Sequence, residues 1–198
     1  MSIRIRKADV NDSDGIARVH IDTMRSTYQG IYPQDFLAGL SHDESRHRWD
    51  TVYLSPKSHD VTYVAEDGSK KIVGFVICGE DRDNDPTYTG EVIGLYILQS
   101  MQKRGIGKKL MLAAMKDLRS RGFDSMIVWV LADNPSRHFY EKLGGEHVKT
   151  RNLTIGGKQF QECGYGWRSL DSFLEIAGSK RKRADTYTNH MSNKNGRR

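Results

Sequence analysis

The stretch Gln102–Lys109, QKRGIGKK, stands between an apolar run that ends near Leu98 and a helical pattern that begins at about Gly105. A strand that passes into a helix through a turn rich in glycine and cations is built to hold phosphate. Backbone N–H groups at the helix start point outward, the helix dipole favours an anion, and glycine lets oxygens come close. This junction is not a Walker A loop, because no G-x-x-x-x-G-K-[ST] is present, and it lacks the third small residue of G-x-G-x-x-G because Leu110 sits there. Nor does an acidic residue close a following strand as ribose recognition in a dinucleotide fold requires.

The rest of the chain supplies a sheet around the junction. Ile3 and Ile5 alternate with Arg4 and Arg6 as a short strand, and Asp9 to Asp14 offers N-cap oxygens ahead of a helical stripe at Ile16, Val19, His20 and Thr23. YQGIYP (28–33) breaks that helix. A second helix starts near Pro33 with Phe36, Leu37 and Leu40, and Ser41 with Glu44 predicts the capping box of a third that carries Trp49, Val52 and Tyr53 on one side. Strands follow at 61–66 and 71–78 around Asp67-Gly68, then at 91–98. The helix over 105–121 buries Ile106, Leu110, Met111, Ala114 and Leu118. A strand over 124–131, a short helix over 134–143 and a hairpin over 146–167 around Gly156-Gly157 complete the order. This order, β-α-α-α-β-β-β-α-β-α-β-β, predicts a single α/β domain with a mixed sheet and helices on both faces.

Charge separates the body from the C-terminal end. The net charge is +6, but residues 179–198 hold seven cations against one anion, which leaves residues 1–178 with 24 of each. The body is therefore neutral, and a nucleic-acid-binding domain is disfavoured there. Residues 179–198, with KRKR at 180–183, are expected to form a basic, solvated tail, the one segment suited to nucleic acid or an acidic partner. No run reaches the roughly 18 apolar residues of a membrane span, and 1–9 lacks a signal-like apolar stretch. A cytoplasmic protein is expected. Cys78 and Cys163 show no metal-ligand spacing, the seven histidines form no H-x-x-x-H or H-E-x-x-H pair, and two buried thiols without a metal site are expected.

Gln102, Gly105 and Gly107 fit Q/R-x-x-G-x-G/A, and the junction resembles motif A of the GCN5-related N-acetyltransferases (GNAT). EVIGLYIL (91–98) resembles the family's fourth strand, and NPSRHFYEKLGG (134–145) resembles motif B through Asn134, Phe139, Tyr140 and Gly144. Gly145 departs from the pattern, which usually has Phe or another bulky apolar residue there. Tyr28-x-Gly30-x-x-Pro33-x-x-Phe36-Leu37 and Glu162-x-x-Tyr165-x-Trp167 are similar to segments of bacterial and archaeal members. The likeness spans about residues 3–168. It implies a twisted, mostly antiparallel sheet splayed at the fourth and fifth strands, with acetyl-CoA as cosubstrate and no metal.

Residue by residue, the resemblance implies that the backbone of Leu95, Tyr96 and Ile97 pairs with the pantetheine arm. Gln102, Lys103, Arg104, Gly105, Ile106, Gly107 and Lys108 would cradle the pyrophosphate, with Asn134 beside the cofactor. Gly94 suits a close backbone approach. Amine acetylation needs a neutral nucleophile and a proton donor for the departing thiolate. Glu91 stands where some members place a base, Tyr140 where the family places the acid. For Glu91 a solvated strand-end carboxylate stays open, for Tyr140 a core aromatic beside Phe139. Tyr28 and Tyr32 flank a loop over the acceptor, as substrate contacts or as apolar anchors, and His138 adjoins the same helix. The implied reaction is direct acetyl transfer to a primary amine of a small molecule or peptide. An acyl-CoA-binding module without catalysis is the competing function, and a homodimer is open. Acidic residues at 80–85 would suit a cationic amine or simply face solvent.

Overall fold

The computed structural model describes residues 2–174. The expected tail, residues 179–198, lies outside the described residues. The chain runs β1 (Arg4–Lys7), α1 (Ser13–Thr27), α2 (Gln34–Ala38), α3 (His42–Arg48), β2 (Val61–Glu66), β3 (Ile72–Glu80), β4 (Gly90–Ile97), α4 (Ile106–Ser120), β5 (Met126–Leu131), α5 (Arg137–Lys142), β6 (Glu146–Ile155) and β7 (Lys158–Trp167). The element order expected from the sequence is the order found.

The strands form one seven-stranded sheet, β1-β2-β3-β4-β5-β7-β6. Every neighbouring pair is antiparallel except β4 and β5. That parallel pair is short, joining Gly90–Val92 to Met126–Val128. On the other side of β4, Ile77 faces Gly94 while Cys78 faces Val92, so Ile93 is an extra, bulged residue. A bulge bends and twists its strand, and from here β4 and β5 diverge.

The two faces of the sheet are covered differently. Ile106, Leu110, Met111, Ala114, Met115 and Leu118 of α4 pack on Val76, Val92, Met126 and Val128. Residues 170–174 add a helical turn to this face, with Leu170 fully buried and its N–H donating to Asp124 O at 2.9 Å. On the opposite face, Ile16, Ala17 and Val19 of α1 and Trp49 cover Val64, Ile72, Phe75 and Ile77. Arg6 fastens β1 to this layer, donating to both carboxylate oxygens of Asp12 at 2.6 Å and to Glu66 at 2.7 Å.

Among local signals the last hairpin is met in full and the capping box at Ser41 by half, because Glu44 does not bond back to the Ser41 N–H, and one expected burial is an exception. Ser41 Oγ accepts the Glu44 N–H at 3.3 Å as an N-cap, and Gly156-Gly157 turn the last hairpin with both φ angles positive (55° and 77°), as a tight hairpin turn requires. The exception is Val52, expected on the buried side with Trp49. It is 54% exposed, because α3 ends in a π turn over Trp49–Tyr53 whose wider ring rotates Val52 outward. Cys78 and Cys163 are buried and not joined in a disulfide, and burial pushes the Cys78 thiol up to about 12. Among the described residues no helix is long and apolar enough to cross a membrane, and no group of three His, Cys, Asp or Glu could hold a metal.

Candidate active site

The divergence of β4 and β5 opens a cleft of about 410 Å³ that passes between the start of α4 on one face and α1 on the other. Its strand walls are Ile93–Ile97 of β4 and Val128–Val130 of β5. Antiparallel partners occupy β4 only on its β3 side beyond Val92, so the opposite edge of Gly94–Ile97 faces the cleft with main-chain groups. An extended ligand can pair there as an added strand.

At one end of the cleft α4 begins with no side-chain cap and no acidic residue in its first turn. The first helical bond runs from Lys109 N–H to Gly105 O at 3.2 Å, so the N–H groups of Ile106, Gly107 and Lys108 have no intrahelical acceptor. Gly105, the N-cap, has φ of 77°, and Lys103 before it is also left-handed at 59°. This turn folds the chain so that successive amide groups and the helix dipole converge on one place, beside Lys103 and Lys108. A pyrophosphate fits that donor set. Gln102 spends its side chain on the turn, donating to Ile97 O at 3.1 Å.

Gly107 is small for another reason than the one the motif suggests. A Cβ there would stand 3.0 Å from Phe139 Cζ and 3.2 Å from Ile97 Cδ1, so the missing side chain lets α5 approach α4. At Gly94 a Cβ would meet the Tyr96 ring at 2.8 Å. Glycine is required at both places by a packed aromatic ring.

Tyr140 of α5 lines the cleft, 6% exposed, packed against Phe139 and Tyr165. Burial raises its pKa above that of a free phenol, so it stays protonated and able to donate. Thr23 and Thr27 of α1 and Tyr28, its C-cap, form the far wall. Asn134, 5% exposed, starts the turn into α5, accepting the Ser136 N–H at 2.9 Å and donating to the Tyr28 hydroxyl at 3.4 Å. That hydroxyl is left with its own proton to give.

A sequence profile of the acetyltransferase (GNAT) family matches residues 21–145, which contain both strand walls, the start of α4 and Tyr140. The chain belongs to the GNAT family. An uncharacterised N-acetyltransferase of Bacillus subtilis, YuaI, is 34% identical over 174 residues, covering 88% of this chain and 98% of that one. A spermidine N(1)-acetyltransferase of Thermoplasma acidophilum is 24% identical, covering 73% and 88%. The structure of the PaiA N-acetyltransferase of that organism with coenzyme A has a TM-score of 0.59 at 19% identity, covering 85% and 99%. As for the GNAT family, the cosubstrate is acetyl-CoA.

Of the residues singled out in the sequence, Leu95, Tyr96, Ile97, Gln102, Lys103, Gly105, Ile106, Gly107, Lys108, Asn134, Tyr140 and Tyr28 meet at this GNAT cleft. Arg104 is exposed and does not line it. Tyr32 stands behind the wall, stacked on Tyr28 with ring centroids 4.4 Å apart and wedged against Phe36 and Phe160. His138 is exposed and bonded to Glu141 at 2.8 Å. Of the acids at 80–85, Glu80 faces solvent, while Asp81, Asp83 and Asp85 are held within the protein. Asp83 is paired with Arg151 at 2.6 Å, Asp85 with Lys149, and Asp81 accepts the N–H groups of Asp83 and Asp85.

Glu91 is also elsewhere. Its carboxylate is 2% exposed, on the α1 face of β4, and is held by Arg82 through Nε at 2.9 Å, Nη2 at 2.5 Å and the backbone N–H at 3.2 Å. It is not among the residues that line the cleft. A solvated strand-end carboxylate is thus excluded.

Thr23, Thr27, Trp129, Ser136 and Phe139 line the cleft without having been singled out as binding residues. Trp129 and Thr23 read in the sequence as ordinary positions on a strand and a helix stripe, and only the splay brings them to the cleft wall. The Gly145 departure has a structural complement. A Cβ at Gly145 would fall 2.7 Å from Trp167 Cζ2, so the indole of β7 fills the space a bulky residue would take, and Trp167 Nε1 donates to Leu143 O at 3.1 Å.

Proposed function

We propose that the protein transfers the acetyl group of acetyl-CoA directly to a primary amine, with Tyr140 as proton donor. One observation carries this: a single cleft joins the uncapped start of α4, the free edge of Gly94–Ile97 and a buried, protonated phenol. In this scheme the amide groups of Ile106, Gly107 and Lys108 hold the pyrophosphate, and the edge of β4 orients the pantetheine arm. The amine nitrogen attacks the thioester carbonyl as the C–S bond breaks, Tyr140 protonates the sulfur, and the phenolate recovers a proton from the product nitrogen. Direct transfer is supported by the lining, which among the described residues includes no cysteine or histidine to carry the acetyl group.

Glu91 takes a positioning role here. Its carboxylate holds Arg82 and the 81–89 loop against the head of β4. A base must meet the amine, directly or through water, whereas this carboxylate is bound by three donors outside the cleft wall. The experiment is a pair of pH–rate profiles. Glu91→Gln should lose the same fraction of kcat/KM at every pH. A loss relieved at high pH, where the amine deprotonates unaided, would restore Glu91 as the base. Absence of thiol release from acetyl-CoA across a broad amine panel would remove the transferase assignment itself.

A further inference from the structure

Two buried polar atoms on the cleft residues have no hydrogen-bond partner, Thr23 Oγ1 of α1 and Trp129 Nε1 of β5. Thr23 is 5% exposed. A buried donor left unpaired loses its hydration with nothing in exchange, so such atoms call for an explanation. The indole N–H can only donate. Its carbon edge is turned to β7, with Cζ3 and Cη2 at 3.1 and 3.2 Å from where a Gly164 Cβ would stand, so Nε1 is turned away from β7. The Arg151 guanidinium lies over the ring at 4.0 Å and fixes its plane.

An ammonium or amine group cannot supply the missing partner to Nε1 while it is protonated, since it carries donors alone. The walls are equally unsuited to a second ammonium. Among the described residues the cleft lining contains no Asp or Glu. Of the acids around it, Glu91 is paired with Arg82, Glu162 and Asp83 with Arg151, and Asp85 with Lys149, while Asp81 accepts the backbone N–H groups of Asp83 and Asp85. A polyamine entering here would bury a cation with no counter-charge, which is among the costliest things a site can do.

We infer that the acceptor is a primary amine that also carries an oxygen acceptor, an amino acid or amino amide by chemical class, whose carboxylate or carbonyl oxygen takes the hydrogen bonds of Trp129 Nε1 and Thr23 Oγ1. On this reading polyamines are the poorer acceptors, which would separate this chain from the Thermoplasma relative named for spermidine. The inference rests on the transferase assignment above and narrows its substrate.

The test is thiol release from acetyl-CoA with amino acids, amino amides, spermidine and putrescine, using the wild-type chain, Trp129→Phe and Thr23→Val. Oxygen-bearing amines should exceed the polyamines in kcat/KM by about tenfold or more. Trp129→Phe keeps a ring beneath Arg151 but loses the N–H, and should lower kcat/KM for those amines about ten- to hundredfold, through KM for the amine. KM for acetyl-CoA should be unmoved. Thr23→Val, close in shape, should act in the same direction and serves as the probe if Trp129→Phe unfolds, as thermal melting would reveal. Spermidine as the best acceptor, or unchanged amino acid kinetics in the variants, would overturn the inference while leaving the transferase intact. Silence with every amine, acetyl-CoA still binding, would overturn both.

Discussion

At its C-terminal end β4 leaves β5 and hands the chain to α4, where amide groups, a left-handed glycine and a protonated phenol face open space. At its N-terminal end the same strand is paired on both sides, and the acid on its α1 face is locked under Arg82. The single bulged residue Ile93 divides the two. Binding groups are thus presented where pairing stops, and a charged side chain in the fully paired part is used up in holding a loop. One strand does both because pairing on both edges leaves only side chains to act, whereas a freed edge offers the main chain as well.

The contrast is most severely tested at Tyr140. Tyr140→Phe removes one hydroxyl from the open end, so turnover should fall about ten- to ten-thousandfold while acetyl-CoA affinity measured by calorimetry persists. Unchanged turnover would make Tyr140 a packing residue beside Phe139 and Tyr165. The locked end should respond in stability instead. Arg82→Ala leaves the Glu91 carboxylate buried without its partner, at a cost of about 3 kcal/mol, less than for a wholly buried pair because the Arg82 side chain is 55% exposed. Urea unfolding would measure it, and a loss below about 0.5 kcal/mol would mean the pair is no more than a surface contact.

A third probe uses pH. His20 packs edge-on to Tyr96, centroids 4.8 Å apart, and burial, aided by the charge of Arg48, lowers its pKa from 6.5 to about 4. Between these values the unfolded chain binds the proton and the folded chain does not. Stability present above about 6.5 therefore declines as pH falls toward about 4, by on the order of 2 kcal/mol. His20→Leu should flatten that part of the unfolding profile. An unaltered slope would assign the acid sensitivity to carboxylates elsewhere. The smallest effect is expected at the N-cap, where Gly105→Ala has room for its methyl group but must hold φ of 77°. A penalty of about 1 kcal/mol, five- to tenfold in acetyl-CoA affinity, should result, and wild-type affinity would show that the turn relaxes freely.

What the sequence discloses follows the same division. The strand–turn–helix junction is written in consecutive residues, and its function depends on backbone, so the resemblance to motif A could place Gln102, Lys103, Gly105, Ile106, Gly107 and Lys108 at the cleft, though not the exposed Arg104. The hairpins and the buried stripe of α4 are legible for a similar reason, as periodicity records which side is covered. Contacts between distant segments leave no such record. Nothing local announces that Arg82 folds back on Glu91, that Arg151 and Lys149 neutralise the 81–89 loop from β6, or that a π turn rotates Val52 outward. Trp129 shows the limit most clearly, since an aromatic on a strand signals only burial until the neighbouring strand is known to diverge.

The indole of Trp167 has a consequence for the order in which the enzyme comes into being. Trp167 closes β7, fills the space above Gly145 and bonds the carbonyl that ends α5, the helix that carries Tyr140. During synthesis the chain from β1 through α5 can leave the ribosome with the anion-binding turn formed while the phenol still lacks the side chain that seats its helix. Competence to bind acetyl-CoA should therefore precede competence to use it, and Trp167→Ala should retain the cofactor while transferring acetyl groups poorly.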